Sequence, residues 1–376
     1  MTGGSGRTRA ALYVGALLGP FGGGVVAALL PELGTSFAVS PSAAATSLTT
    51  YLLPFAVLML VSGTFGERWG LARTIRLAYV VYAVAAVASA VAPWFWLFQL
   101  GRGVQGSANA FTMPLLLAKL AAGTPVGRMG RALGVFGAMQ ALGQTSAPLV
   151  GGLAAEASWR WAFAGIAAVA VLLAACPLPP DRPRDHAEPP PRRPAWRRDV
   201  LLPGLVALVG WGCLAGASFL VAFRLQDAFG LTSSIRGLVL TGYGVTGFLT
   251  ARLVGSAADR FGARPAAVAG LGAGGVLLAA IGSFDVLPVV AASWALAGVC
   301  SQLVMVAVNA TVLAGGGPGS GGAISVVQSL RFLGMAAAPA VFTAPYHLSA
   351  TLGFLLPAAL LLLTVPLAVA LRPART

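Results

Sequence analysis

Apolar residues run through this chain in long blocks separated by short polar segments. Blocks of about 20 residues fall near 11–31, 43–65, 74–92, 95–119, 131–154 and 160–176. Six more lie near 200–223, 235–258, 265–283, 287–313, 321–343 and 349–371. A helix needs ~20 mostly apolar residues to cross ~30 Å of hydrocarbon. The pattern therefore predicts twelve transmembrane helices and an all-α membrane protein. Ala92-Pro93-Trp94 separates the third and fourth blocks and predicts a tight hairpin at Pro93, with Trp94 and Trp96 at the interface. The first block lacks a small-residue cleavage site, so it reads as a first span and not as a signal.

One segment breaks the pattern. PLPPDRPRDHAEPPPRRPAWRRD, residues 177–199, is rich in Pro and Arg and has no means of building a core. It predicts a cytoplasmic linker between an N-terminal six-helix bundle, 1–176, and a C-terminal one, 200–376.

Composition agrees with a lipid solvent. Hydrophobic residues make up 57% of the 376 positions and charged residues only 9%, against roughly 25% charged in soluble domains. Mean hydropathy is +0.85. The net charge of +14 raises the question of nucleic acid, and the positions of the charges answer against it. With the N-terminus inside, 17 of the 24 basic residues fall on cytoplasmic segments and 3 (Arg160, Arg224, Arg236) on outer ones. The other four, Arg102, Lys119, Arg252 and Arg331, lie within or at the ends of spans. That asymmetry predicts both termini in the cytoplasm.

The halves repeat. GTFGERWGLAR at 63–73 and GSAADRFGAR at 255–264 both read Gly-x-x-x-acid-Arg-x-Gly, 192 positions apart. GQTSAP at 143–148 and GMAAAP at 334–339 both read Gly-x-x-x-Ala-Pro, 191 positions apart. Two unrelated motifs at nearly one offset predict a duplicated six-helix unit, with the substrate site between the halves.

These residues resemble the signature of the major facilitator superfamily over essentially the whole chain. The resemblance implies two pseudo-symmetric six-helix bundles. Gly63, Glu67, Arg68, Gly70 and Arg73 look like the family's loop 2–3 motif, and Asp259, Arg260, Gly262 and Arg264 like its second copy. In the family this motif forms a cytoplasmic gate. Here Glu67 stands where Asp is commoner. RGVQGSANA at 102–110 resembles the motif whose Arg takes part in ion coupling; Arg102, Gln105 and Asn109 share one helix face. Gly143, Pro148, Gly151 and Gly152 resemble the motif of the drug-exporting antiporters, which implies a bend at Pro148, with Pro339 its partner in the second half. Trp159-Arg160-Trp161 resembles the same exporters.

Polar residues inside spans are the candidates for the path. Besides Arg102, Gln105 and Asn109, these are Gln140, Gln144, Gln302, Asn309, Gln328 and Arg331. Arg331 is the repeat partner of Gln140 and lies about ten residues from either end of its block, where a cation needs a partner, water or an anionic ligand. No acid lies in mid-span. Glu32 and Asp227, at the ends of the first and seventh blocks, are the remaining candidates to carry protons.

Other chemistry finds little support. Cys176, Cys213 and Cys300 form no CxxC pair, and His186 and His347 lie far apart, so no metal site is expected. GLGAGG at 270–275 follows no strand, and GGGPGSGG at 315–322 lacks the Gly-Lys-Ser/Thr ending of a phosphate loop. No nucleophile–base set is visible, so neither enzyme nor cofactor is expected. The expected function is export of small organic molecules by proton antiport, by a monomer in a bacterial-type inner membrane. An importer or uniporter of a small anionic or polar solute is the alternative.

Overall fold

In the computed structural model, residues 3–124, 128–178, 198–314 and 320–371 are described. Most of the 177–199 segment, and residues 315–319 of the second glycine run, lie outside them. Among the described residues there are fifteen α-helices. The first seven are α1 (Gly3–Gly24), α2 (Val26–Phe37), α3 (Pro41–Trp69), α4 (Leu71–Val91), α5 (Phe95–Ala110), α6 (Met113–Gly123) and α7 (Met129–Ala157). Then follow α8 (Arg160–Ala175), α9 (Arg198–Cys213), α10 (Ser218–Asp227), α11 (Ser233–Phe261) and α12 (Ala263–Ser283). The last three are α13 (Leu287–Ala314), α14 (Ser320–Leu348) and α15 (Ala350–Val369).

Three of the expected spans are broken helices. The first bends by 45° at Val25, between α1 and α2. The fourth is interrupted at Phe111 and Thr112, and the seventh at Leu214–Ala217. Joining each pair gives twelve segments. By length and composition, eight helices of the described residues suffice to cross a membrane, or nine with the bent first pair. The segments that fall short are α5 with α6, α7, and the 16-residue α8. The first two carry Arg102, Gln105, Asn109, Gln140 and Gln144, and those polar side chains lower their apolarity.

Local chemistry sets the ends. Ser40 caps α3, its hydroxyl accepting from the Ala43 N–H at 3.2 Å, with Pro41 in the first turn. Gly70, at φ 88°, turns α3 into α4, and Gly262, at φ 93°, turns α11 into α12. A side chain disfavours this backbone region, so glycine is required there. Pro93 and Trp94 make the short α4–α5 turn, and the exposed indoles of Trp94 and Trp96 stack at 5.9 Å.

The chain divides into two compact units, Met1–His186 and Ala187–Thr376. In the first, α1 packs on α7, α3 on α5, and α4 on α5 and α8. In the second, α9 packs on α14, α11 on α13, and α12 on α13 and α15. The pairs match one for one under the repeat, and so do their closest approaches. A Cβ on Gly106 would collide with the Tyr51 carbonyl, and one on Gly298, 192 positions on, with the carbonyl of Tyr243, itself 192 positions after Tyr51. Gly143 meets the Leu17 carbonyl as Gly334 meets that of Leu208, both 191 positions on. Glycine lets these backbones touch where no water exists to drive helices together. Large apolar side chains such as Val84, Leu172, Leu253 and Leu363 are left 66%, 66%, 69% and 74% exposed, which suits lipid and not water.

α7 runs through Pro148 as one helix of 29 residues. The break is in the facing span, at Val25. There a Cβ on Gly151 would collide with the side chain and carbonyl of Val25, and one on Gly24 would press on the Ala147 methyl. In the second unit a Cβ on Gly216, in the α9–α10 break, would collide with the Ala338 methyl, and Pro339 is buried next to Ala338. The small residues of α7 and α14 thus accommodate breaks in the helices packed on them.

Candidate functional site

The interior of the first unit holds a polar cluster built by α1, α3, α4 and α5. Arg102, Gln105 and Asn109 project from one face of α5 and are 0%, 0% and 2% exposed. Arg102 Nη1 donates to the Gly22 carbonyl at 3.1 Å and to Gln105 Oε1 at 2.9 Å. Its guanidinium carbon sits 4.3 Å from the ring centre of Tyr51 and 5.7 Å from that of Phe163. The Tyr51 hydroxyl donates to the Gly19 carbonyl at 3.2 Å and lies 3.5 Å from that of Tyr82. Thr112 donates to Asn109 Oδ1 at 2.9 Å.

Glycines on α1 make room for this cluster. A Cβ on Gly15 would collide with the Tyr79 hydroxyl, on Gly19 with Asn109 Oδ1, and on Gly22 with the Tyr82 hydroxyl. Every partner of Arg102 among the described residues is neutral. Its Nε and Nη2 make no hydrogen bond. The cation is held by ring faces and two oxygens, and it pins the stretch of α1 just before the break at Val25. Tyr51, Tyr79 and Tyr82 were not among the residues singled out in the sequence. Tyr79 and Tyr82 stand three apart on α4, the spacing of one face, and that is the signal that pointed to them.

The second unit is built differently at the same places. Trp294, the 192-position partner of Arg102, stacks on Tyr243, the partner of Tyr51, at 4.7 Å, and its indole N–H donates to the Leu240 carbonyl at 3.2 Å. The cation is on α14 instead. Arg331 is half-buried, its guanidinium carbon 4.6 Å from the Trp211 ring centre and 4.5 Å from that of Phe332. Among the described residues its hydrogen-bond acceptor is the Met305 sulfur at 3.7 Å, and Nε is buried without one. A guanidinium has five N–H donors and a thioether is a weak acceptor. Ring faces contribute on the order of 0.5–2 kcal/mol each, but they leave the in-plane donors unmet, at about 1–3 kcal/mol per buried group.

The other path candidates do not join these clusters into one visible site. Gln140, Gln302, Asn309 and Gln328 are half-buried and Gln144 is exposed. Gln302 packs beside Gly247.

At the ends taken as cytoplasmic, Arg68, Arg73, Asp259 and Arg260 are exposed, and nothing lies within 4 Å of a Cβ on Gly63. The Glu67 side chain lies outside the described residues. Arg264 serves a helix end: Nε and Nη2 donate to the Leu371 carbonyl at 3.2 and 2.9 Å. At the opposite ends, Glu32 is half-buried within α2, and Asp227 ends α10, exposed, accepting from the Tyr346 hydroxyl at 2.9 Å. Arg224 pairs with Asp285. Arg160 Nη1 donates to the Ala90 and Ala92 carbonyls at 2.7 and 3.0 Å, closing α4. Thr351, 191 positions on, closes α12 by donating to the Gly282 carbonyl at 2.9 Å.

A family model described as Major Facilitator Superfamily matches residues 12–234, more than half of the chain. The chain belongs to the major facilitator superfamily. Among similar proteins, the MFS-type transporter EfpA of Mycobacterium tuberculosis is 34% identical over 135 residues, 36% of this chain and 26% of the relative. The multidrug resistance protein B homologue of the same species is 30% identical over 151 residues, 39% of this chain and 28% of the relative. The puromycin resistance protein of Streptomyces alboniger is 31% identical over 230 residues, 54% of this chain and 44% of the relative. The chain spans 26% to 39% of the length of the first curated relatives it matches.

Solved structures resemble it along its whole length. A nucleoside transporter superposes with a TM-score of 0.80 at 11% identity, covering 97% of this chain and 99% of the other. The human organic anion transporter does so at 0.70 and 20% identity, covering 96% and 99%. At such identities the likeness is one of fold. This major facilitator chain is thus an all-α, multi-pass membrane protein of twelve transmembrane helices in two pseudo-symmetric six-helix bundles.

Proposed function

We propose that this major facilitator chain is a secondary exporter of small organic molecules. It works by alternating access between its two six-helix units, as a monomer in a bacterial-type inner membrane with both termini cytoplasmic. The observation that carries the reading is the stripe Gly143, Ala147 and Gly151 of α7, seated on Leu17, Gly24 and Val25 where the first span breaks by 45°. This is the motif that resembles those of exporting antiporters, and it meets the moving part such a mechanism needs: a helix with a preformed break, held by small residues that let it slide. The names of the puromycin and multidrug resistance relatives support export. The distribution of arginines supports the orientation.

Proton antiport is the coupling proposed, with Glu32 and Asp227 as its carriers, since the interior clusters around Arg102 and Arg331 hold no carboxylate among the described residues. Gly63, Glu67, Arg68, Gly70 and Arg73, with Asp259, Arg260, Gly262 and Arg264, form the proposed cytoplasmic gate. The same lack of an interior carboxylate favours, as a second reading, facilitated movement of an anionic solute without protons.

Everted membrane vesicles containing the protein test the first reading. They should accumulate puromycin when energised and lose it on addition of an uncoupler. Accumulation that survives the uncoupler removes the proton step. Accumulation in right-side-out vesicles alone reverses the direction.

A further inference from the structure

We propose that Arg331 and the rings around it form a binding site for an organic anion with a flat, aromatic body. The proposal rests on the transporter reading above and names the class of molecule one site would take.

The two interior arginines have different duties. Arg102 gives Nη1 both to a backbone carbonyl of α1 and to Gln105 and is completely buried, with Nε and Nη2 unbonded. Its bonds tie α5 to α1. Arg331 holds no carbonyl and no amide oxygen among the described residues; its acceptor is a thioether. It keeps some exposure, and Nε waits buried without a partner.

The unit does not supply the missing charge from those acids whose side chains are described. Asp227 is bound to Tyr346 and Asp285 to Arg224, and Asp259 is exposed near the end of α11. Arg331 is eleven residues into α14. A cation placed at such depth, with Nε open and only a thioether accepting from Nη1, is completed by an anion that brings acceptor oxygens, a carboxylate or sulfonate.

The surroundings describe the remainder of the ligand. Trp211 and Phe332 present ring faces to the guanidinium. Met305 adds an adaptable apolar contact. A planar aromatic group attached to the anion stacks here as a flexible aliphatic chain does not.

The test uses the full chain, purified in detergent, and three probes of one shape: 2-naphthoate, neutral 2-naphthamide and cationic 2-naphthylmethylammonium. Binding is followed by equilibrium dialysis. The wild-type protein should bind naphthoate about tenfold or more tighter than naphthamide, with the ammonium weakest. R331Q should erase that preference and keep the size-exclusion profile and melting temperature. R331K should recover part of it, and W211A should weaken all three probes alike.

No binding of naphthoate, equal affinity for naphthoate and naphthamide, or a preference that survives in R331Q overturns the site. Puromycin export by a protein that binds no naphthoate sinks this inference and leaves export standing. Selective naphthoate binding without movement of any solute does the reverse.

Discussion

Arg102 carries its guanidinium carbon 4.3 Å above the ring of Tyr51 and donates to the Gly22 carbonyl at 3.1 Å. At the equivalent positions of the second unit the same crossing is held by an indole on a phenol, Trp294 on Tyr243 at 4.7 Å. The duplicated architecture has kept the crossing and changed its chemistry. One half locks a cation into the helix packing; the other uses an uncharged pair there and carries its cation on α14.

The two arginines should therefore respond differently to neutralisation. R102Q removes the bond that ties α5 to α1 and leaves the Gly22 carbonyl without that donor, a loss on the order of 1–3 kcal/mol. Its melting temperature in detergent should fall by several degrees, with loss of the monodisperse peak. R331Q should melt close to wild type and lose transport. Equal stability of the two variants would contradict this division of roles.

Close backbone crossings predict which glycines are replaceable. Gly106→Ala and Gly298→Ala put a methyl onto a carbonyl oxygen of the neighbouring helix, and backbone yields poorly. Each should destabilise by about 1–3 kcal/mol. Gly137→Ala, with nothing within 4 Å, should be neutral or gain up to about 1 kcal/mol from helix propensity. Thermal unfolding of the three purified variants checks the order.

Much of this fold was legible in the residues themselves. Gly70 and Gly262 announced the repeated turn, and Gly143 and Gly334 the repeated crossing, because small residues and positive φ leave marks at fixed spacing. The helix breaks did not. Val25, Phe111–Thr112 and Leu214–Ala217 contain no proline, while Pro148 sits inside an unbroken helix. A break in a span is decided by the helix packed against it, and a single line of sequence does not record that. The aromatic lining was hidden for a related reason. Tyr51, Tyr82 and Trp211 read as ordinary bulk until the arginines are seen on their faces. The bond from Arg264 to Leu371 was not legible either, because it depends on α15 folding back beside α12.

The turn glycines should resist substitution more than their exposed neighbours. Gly70→Ala and Gly262→Ala force a side chain into backbone at φ 88° and 93°, costing on the order of 1–3 kcal/mol. Trp69→Ala and Phe261→Ala, at residues 60% and 64% exposed, should leave stability nearly unchanged. Expression yield and melting temperature of the four variants measure the difference.

Helix-end capping gives a matched pair across the repeat. R160A frees the Ala90 and Ala92 carbonyls, and T351A frees the Gly282 carbonyl. Arg160 serves two carbonyls with a charged donor, so its loss should cost about 1.5–3 kcal/mol against ~0.5–1.5 kcal/mol for Thr351. Amide exchange at the last turns of α4 and α12 should rise in the same order.

The central claim is that solute crosses because the two units move against each other. Trp69 and Phe261 are exposed, 192 positions apart, and follow the gate residues Arg68 and Arg260 in the two halves. With Cys176, Cys213 and Cys300 replaced by serine, W69C and F261C are treated in everted vesicles with reducible cross-linkers of graded length. Puromycin uptake should stop on cross-linking and return on reduction. Full uptake with the pair locked would contradict the account.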